Sequence, residues 1–291
     1  MESILICPVC DTILRRIEKR YECINRHSYD VAREGYVNLL LANQKASKLP
    51  GDSREMLQAR RRFLEGSHYH ILSDTLNQLI EQQIQQAQSV SPKPITILEA
   101  GCGEGYYLGE LQQFLTSTQS ALSVDYWGLD IAKDAVRMAA QRYQRINFLV
   151  ASTRRKIPIV DHCIDLLLTI FAPRNPAEYQ RMMATNGAVI IVIPGTNHLR
   201  QLRTMLMMSE REASKQDEVI ADFQDGFRLE QIEMCTDTIK LDNETLLDLV
   251  RMTPNYWHIT PDIWQQMQVM ERFETQIEFL ILIFRRSHIE I

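Results

Sequence analysis

The sequence predicts an α/β protein with a mostly parallel sheet, preceded by a small cysteine-rich module, and three observations predict it. From residue 95 onward, apolar strand-like runs alternate with helical patterns, as in a parallel sheet covered by helices on both faces. At the head of that region, I-T-I-L-E-A-G-C-G-E-G-Y-Y (Ile95–Tyr107) reads as a buried strand ending in the acid Glu99, then a turn with Gly101, Gly103 and Gly105, then a helix. At the other end of the chain, Cys7, Cys10, Cys23 and His27 form the pattern C-x2-C-x12-C-x3-H.

The spacing of the front module puts two thiolates on one tetrahedral metal and closes the site with a second pair, so a structural zinc is expected. A redox Cys-x-x-Cys pair is the competing reading, and no βα unit surrounds these cysteines to support it. Strand-like flanks at Ile4–Ile6 and Tyr21–Cys23 suggest a zinc-ribbon-like fold over residues 1–40, with too few apolar residues to fold without metal. Arg15, Arg16, Lys19, Arg20 and Arg26 lie among the ligands and face either phosphates or solvent. Residues 41–94 read as a basic helical linker. It has a polar loop with Lys45 and Lys48, a helix opened by Ser53 and closed by Gly66, and a long amphipathic helix over Ile71–Gln88. Arg60, Arg61 and Arg62 spread over more than half a turn of the first helix; they are candidate RNA-backbone contacts or a solvated face.

Within 95–291, strands are expected near 95–99, 124–129, 146–150, 164–170, 188–193, 232–241 and 277–284. Helices are expected at 105–116, 133–143, 176–184, 198–211, 244–252 and 261–273, the last two as insertions in the terminal hairpin of a seven-stranded sheet. Asp130 ends the second strand, 25 residues after Gly105, where a carboxylate can accept both ribose hydroxyls or simply cap the next helix. The glycine spacing is G-x-G-x-G, not the dinucleotide fingerprint, and the phosphate-binding Lys of a Walker loop is absent. Glycine turn followed by acid resembles the cofactor site of class I (Rossmann-like) S-adenosylmethionine-dependent methyltransferases.

Composition bounds the rest. Of 291 residues, 45% are hydrophobic and 24% charged, an ordinary soluble balance. The longest apolar runs are too short to span a bilayer and no signal peptide opens the chain, so a cytoplasmic protein without a membrane partner is expected. The net charge of −5 conceals an asymmetry: residues 1–66 carry 12 Lys and Arg against 9 Asp and Glu, and the remainder is acidic. A basic front on an acidic body points to a polyanionic partner.

A more specific resemblance follows from motifs in order: the zinc pattern, A-R-E-G-Y-V-N-L-L, P-G-D-S-R-E-M-L-Q-A-R-R, E-A-G-C-G-E-G-Y-Y, P-G-T-N-H-L and M-T-P-N-Y-W. Across essentially its whole length the chain resembles the bacterial 23S rRNA (guanine-N1)-methyltransferases. The resemblance implies methyl transfer from S-adenosylmethionine to N1 of a guanine in a domain II hairpin of 23S rRNA, by a homodimer with an RNA cleft and without a DNA partner. It places the zinc ligands on Cys7, Cys10, Cys23 and His27 and cofactor contacts on Tyr69, Gly103, Glu104 and His198, with the superfamily's ribose acid on Asp130. Gly101 joins them as part of the turn. Taken alone, Tyr69 reads equally as a core residue and His198 as a surface histidine. Methyltransferases of another rRNA guanine or of a small molecule, and a non-catalytic RNA-binding protein with a relict fold, remain alternative readings.

Guanine N1 carries a proton, so its methylation needs positioning and loss of that proton. The stretch Ile170–Asn175 after the fourth strand is where the target base is expected, with Phe171 as a stacking candidate. It contains no acid, and the sequence identifies no base.

Overall fold

The computed structural model describes residues 3–44, 51–90, 94–118, 123–208, 214–253, 256 and 259–287. The expected loop lysines Lys45 and Lys48, and Pro254, Asn255 and Trp257 of the M-T-P-N-Y-W motif, lie outside the described residues. The chain begins with a three-stranded antiparallel sheet, β1 (Arg15–Ile17), β2 (Arg20–Glu22) and β3 (Ser28–Asp30), followed by a two-residue strand, β4 (Val37–Asn38). Helices α1 (Arg54–Glu65) and α2 (His70–Val90) lead into β5 (Ile95–Ala100). Then come α3 (Tyr106–Ser117), β6 (Val124–Asp130), α4 (Lys133–Arg142), β7 (Asn147–Val150), β8 (Ile164–Ile170), α5 (Pro176–Met182) and β9 (Met183–Pro194). The chain closes with α6 (Arg200–Met205), α7 (Ser214–Phe223), β10 (Phe227–Asp242), α8 (Asn243–Arg251), α9 (Pro261–Gln268) and β11 (Arg272–Arg286).

The large sheet has the order β10-β11-β9-β8-β5-β6-β7-β4. Strands β4 to β9 run parallel to one another, while β11 pairs antiparallel with both β9 and β10, and the long β10–β11 hairpin carries α8 and α9 between its arms. This is the class I methyltransferase fold. It has eight strands rather than the expected seven, because Val37–Asn38 pairs with Leu149–Val150 and extends the edge beyond β7.

Local chemistry sets several boundaries. Ser53 caps α1, its hydroxyl accepting from the Met56 N–H at 3.2 Å, and the Gly66 N–H closes the helix on the Arg62 carbonyl. Asp242 and Thr260 cap α8 and α9 in the same way. Elsewhere pairing overrides helical pattern. The helix expected to reach residue 184 stops at Met182, because Met183 pairs with Ile164 and β9 starts there. The helix expected through 273 ends at Gln268, since Arg272 and Phe273 pair with Asp242 and Leu241.

Alternate strand residues divide the core. Ile97, Leu166, Leu168 and Ile190 face the layer of α1 to α4 and α8. Leu98, Leu167, Val189 and Ile191 face the other layer, which holds Tyr179 of α5, Val219 and Phe223 of α7, and the amino-terminal module. Leu5, Cys7, Leu14, Tyr21 and Cys23 pack in one cluster with Trp127, Leu149, Ile157 and Ile159 beneath β6 and β7. The Ile6 N–H donates to the Pro158 carbonyl, and Leu5 bridges Ile159. Full burial of Leu5 and Leu14 stabilises this seam by roughly 1.5–3 kcal/mol each.

Candidate active site and metal centre

The ends of the module's knuckles bring Cys7, Cys10, Cys23 and His27 together, with all four ligand atoms within 4.8 Å of one another. The Cys10 and Cys23 sulfurs are 3.7 Å apart, and His27 Nδ1 is 3.5, 3.4 and 3.4 Å from the sulfurs of Cys7, Cys10 and Cys23. A tetrahedral zinc has edges of about 3.8 Å between sulfurs and about 3.6 Å from sulfur to nitrogen. The donor set and its spacing therefore fit zinc, with no fifth position. Around it, Tyr29 Oη lies 3.3 Å from the Cys7 sulfur and Thr12 Oγ1 lies 3.2 Å from that of Cys10. The hydrogen bond with Thr12, then one with Asn25, brings the Cys10 thiol down to about 5, favouring the thiolate that binds metal. Burial pushes the Cys7 thiol up, so Cys7 is the ligand that depends most on the metal for its ionisation.

The second site is a cleft of about 850 Å³ over the carboxyl ends of the parallel strands. Gly101, at φ +84°, turns the chain out of β5, and a side-chain carbon there would sit 2.4 Å from the Cβ of Ala172. The N–H groups of Gly101 and Cys102 both donate to the Leu129 carbonyl at 2.8 and 2.9 Å, which ties the turn to β6. Gly103 N–H donates to Asp130 Oδ2 at 3.0 Å, and Ala132 N–H to Oδ1 at 2.8 Å. Asp130 thus caps the entry to α4 and also holds the glycine turn, with lone pairs left on both oxygens.

Among the described residues four carboxylates line the cleft, and three of them, Glu99, Glu104 and Asp130, lie together at the ends of β5 and β6. Glu99 is buried, and its Oε2 has no partner within the protein. Glu104 is equally buried, takes the Arg61 Nε–H at 3.2 Å and leaves Oε1 unpaired. Burial raises the pKa of all three. Glu99 is raised furthest, well above the usual carboxylate range, with the charges of Asp130 and Glu104 adding to the effect. Opposing N–H donors from Ala132 and Gly103 at Asp130, and the Arg61 guanidinium at Glu104, limit the rise there. Buried acids with free oxygens are completed by a cationic, hydroxyl-bearing ligand. The ammonium, sulfonium and ribose of S-adenosylmethionine fit that demand, and the cofactor when bound supplies an electrophilic methyl.

On the opposite wall, Tyr69 is 3% and His198 6% exposed, and Tyr69 Oη lies 3.4 Å from His198 Nε2. His198 Nδ1 accepts from the Glu278 N–H at 3.3 Å, which assigns the proton to Nε2 and makes the ring a donor towards Tyr69. Both rings pack on Phe279, at 4.9 and 4.7 Å between centroids. His198 is therefore a buried wall residue, not a surface histidine. Phe171 follows β8 with φ +54°, uncommon for an aromatic residue, and remains 45% exposed at the cleft.

The structure brings together Tyr69, Gly101, Gly103, Glu104, Asp130 and His198 in one cleft lining. It also adds residues that motif reading left without a role, Glu99, Arg174 and Arg203, and brings in Arg60, read above as an RNA-backbone or solvated residue. Glu99 was visible as the last polar residue of its strand; Arg174 and Arg203 carry no local signal. The three arginines of α1 are all occupied internally. Arg60 pairs with Asp52 at 2.5 Å and donates to the Met252 carbonyl, Arg61 holds Glu104, and Arg62 grips Asp248 with bonds of 2.7 and 2.6 Å. These pairs clasp α1 over the cleft, with the Arg62 side chain still more than half exposed.

A zinc-ribbon profile described as "RlmA, N-terminal" matches residues 5–48, and a "Methyltransferase domain" profile matches residues 97–189. A Streptomyces fradiae protein named 23S rRNA (guanine(748)-N(1))-methyltransferase is 31% identical over 258 residues, covering 89% of this chain and 87% of the relative. Relatives from Micromonospora griseorubida and Bacillus subtilis (strain 168) carry the name 23S rRNA (guanine-N(1)-)-methyltransferase in provisional form. They are 30% and 28% identical over 88% and 97% of this chain, and 88% and 96% of their own lengths. With a zinc-type cluster, a cation-seeking cleft and this likeness running through both, the chain belongs to the 23S rRNA (guanine-N1)-methyltransferase family.

Proposed function

We propose that this protein transfers a methyl group from S-adenosylmethionine to N1 of a guanine in a domain II hairpin of 23S rRNA. The observation that carries the reading is the 31% identity to a guanine-N1-methyltransferase over 89% of the chain, spanning the metal module and the cleft alike. In this reading Gly101, Gly103, Glu104, Asp130, Tyr69 and His198 contact the cofactor, with Glu99 and Glu104 near its cationic end and Asp130 at the ribose. Cys7, Cys10, Cys23 and His27 hold a structural zinc. Residues 1–40 recognise RNA, residues 41–94 link, and residues 95–291 carry the chemistry. The protein works in the cytoplasm as a homodimer; no described helix is long and apolar enough to cross a membrane.

Primer extension across the domain II hairpin tests the central claim. Unmethylated 23S rRNA incubated with the purified protein should give a reverse-transcription stop only when S-adenosylmethionine is present, because N1 methylation blocks Watson–Crick pairing. Methyl incorporation elsewhere in rRNA would discard the hairpin, and no incorporation into any RNA would discard the activity. The role of the module is tested separately. Arg15 and Arg16 are exposed on β1. Changing both to Ala should weaken RNA binding and lower the salt slope by about 2 while cofactor affinity holds. An unchanged slope would remove the module from the RNA interface.

A further inference from the structure

The buried charges of the cleft are unevenly placed along the strand edge. Glu99, Glu104 and Asp130 gather at the ends of β5 and β6, where Arg60 is paired with Asp52; of the other cations in the lining Arg154 and Lys215 are exposed, while Arg174 lies after β8 and Arg203 on α6, after β9. Since β9 and β8 lie on one side of β5 and β6 on the other, the two charges are displaced along the sheet. Arg203 is 9% exposed. Its Nη2 donates to the Thr196 carbonyl at 2.9 Å, while Nε and Nη1 have no partner, and Arg174 Nε has none either. Among the described residues no carboxylate pairs with Arg203. A buried guanidinium donor left unpaired is costly. Such a group is completed by an oxygen acceptor that enters with the substrate.

We propose that Arg203 donates a hydrogen bond to O6 of the target guanine and thereby makes N1 nucleophilic; this rests on the activity proposed above. Neutral guanine has a proton on N1 and no free lone pair there in the ring plane. When that proton leaves to water, the negative charge is shared between N1 and O6. A cationic donor at O6 stabilises that form, acting where charge develops. The N1 lone pair then bonds to the methyl carbon while the carbon–sulfur pair returns to sulfur, leaving a neutral thioether and one released proton. An arginine that acidifies N1–H removes the requirement for a strong base, and Phe171–Asn175 contains no carboxylate to act as one.

Single-turnover methylation by wild type, Arg203→Lys and Arg203→Gln tests this, on hairpin RNA carrying guanosine or 6-thioguanosine at the modified position. Thioguanosine has a more acidic N1–H and a weaker acceptor at position 6. The expected result is a fall of roughly 10²-fold in rate for Arg203→Gln, with an apparent pKa moved upward, partial recovery in Arg203→Lys, and a smaller loss on the thio substrate. Affinities for S-adenosylmethionine and RNA should hold. An unchanged rate and pH profile would overturn the proposal. So would a selective loss of cofactor affinity, which would give Arg203 to the methionine carboxylate, or a selective loss of RNA affinity, which would give it to a phosphate. If Arg203→Gln shows no cooperative melt, the pH profile of Arg203→Lys decides. A wild-type protein that methylates no rRNA guanine would defeat the underlying activity instead.

Discussion

Glu99 shows how much of the site is encoded in single environments. Its pKa is raised above the unfolded value near 4.3 by burial, so the folded apo state holds a proton that the unfolded chain has already released. The cost is absent below about pH 4 and grows as pH rises towards the folded pKa. Glu99→Gln should therefore raise the melting temperature of the apo protein at pH 8 and leave it nearly unchanged at pH 4, while weakening cofactor binding. Equal gains at both pH values in thermal scans would contradict the assignment. Gly101→Ala gives the complementary steric test: φ +84° and Ala172 at 2.4 Å leave no room for a methyl group. Cofactor affinity should fall at least tenfold by calorimetry if, as proposed, the cofactor rests on that turn. Both residues were legible in the sequence, since a strand, an acid and three glycines are a local pattern. Arg203 was not: its importance comes from what its guanidinium lacks after folding, which no spacing records.

Among the elements, α1 was legible at its ends and not in the pairing of its arginines. Its ends follow from Ser53 and Gly66, whose capping is local. The fate of its arginines depends on Asp52, Glu104 and Asp248, the last of them 186 residues away from Arg62, and only the assembled fold pairs them. The same holds for Val37–Asn38, whose strand pairing with β7 joins residues more than a hundred positions apart. Arg62→Ala should strand the buried Asp248 with only the 3.7 Å contact to Arg251. The guanidinium of Arg62 is more than half exposed, so the loss is expected near the low end of about 1–3 kcal/mol, read as a lower urea midpoint at unchanged slope. No shift in midpoint would show that α1 is held by its apolar face alone.

Across the whole molecule, the metal module and the sheet share one apolar cluster. Chelation should therefore not release an unfolded tail from an intact body. It should lower the melting temperature of the entire chain in one transition and change the emission of Trp127, which packs against the module. Two separate transitions, with the upper one at the holo temperature, would contradict this. Alternation along the strands made the layered sheet readable, but which layer the module would occupy was not, because its few apolar residues find their partners only beneath β6 and β7.

That shared cluster has a geometric corollary. A module joined to the sheet by Leu5, Leu14 and a backbone bond to Pro158 has no hinge in this seam, so zinc and glycine turn are separated by a constant length. On the proposed function, an RNA held at both ends would meet two jaws set at a fixed span. If the module grips the RNA as proposed, only a hairpin whose grip point and target base lie that far apart, or which can bend until they do, would present that base at the cleft.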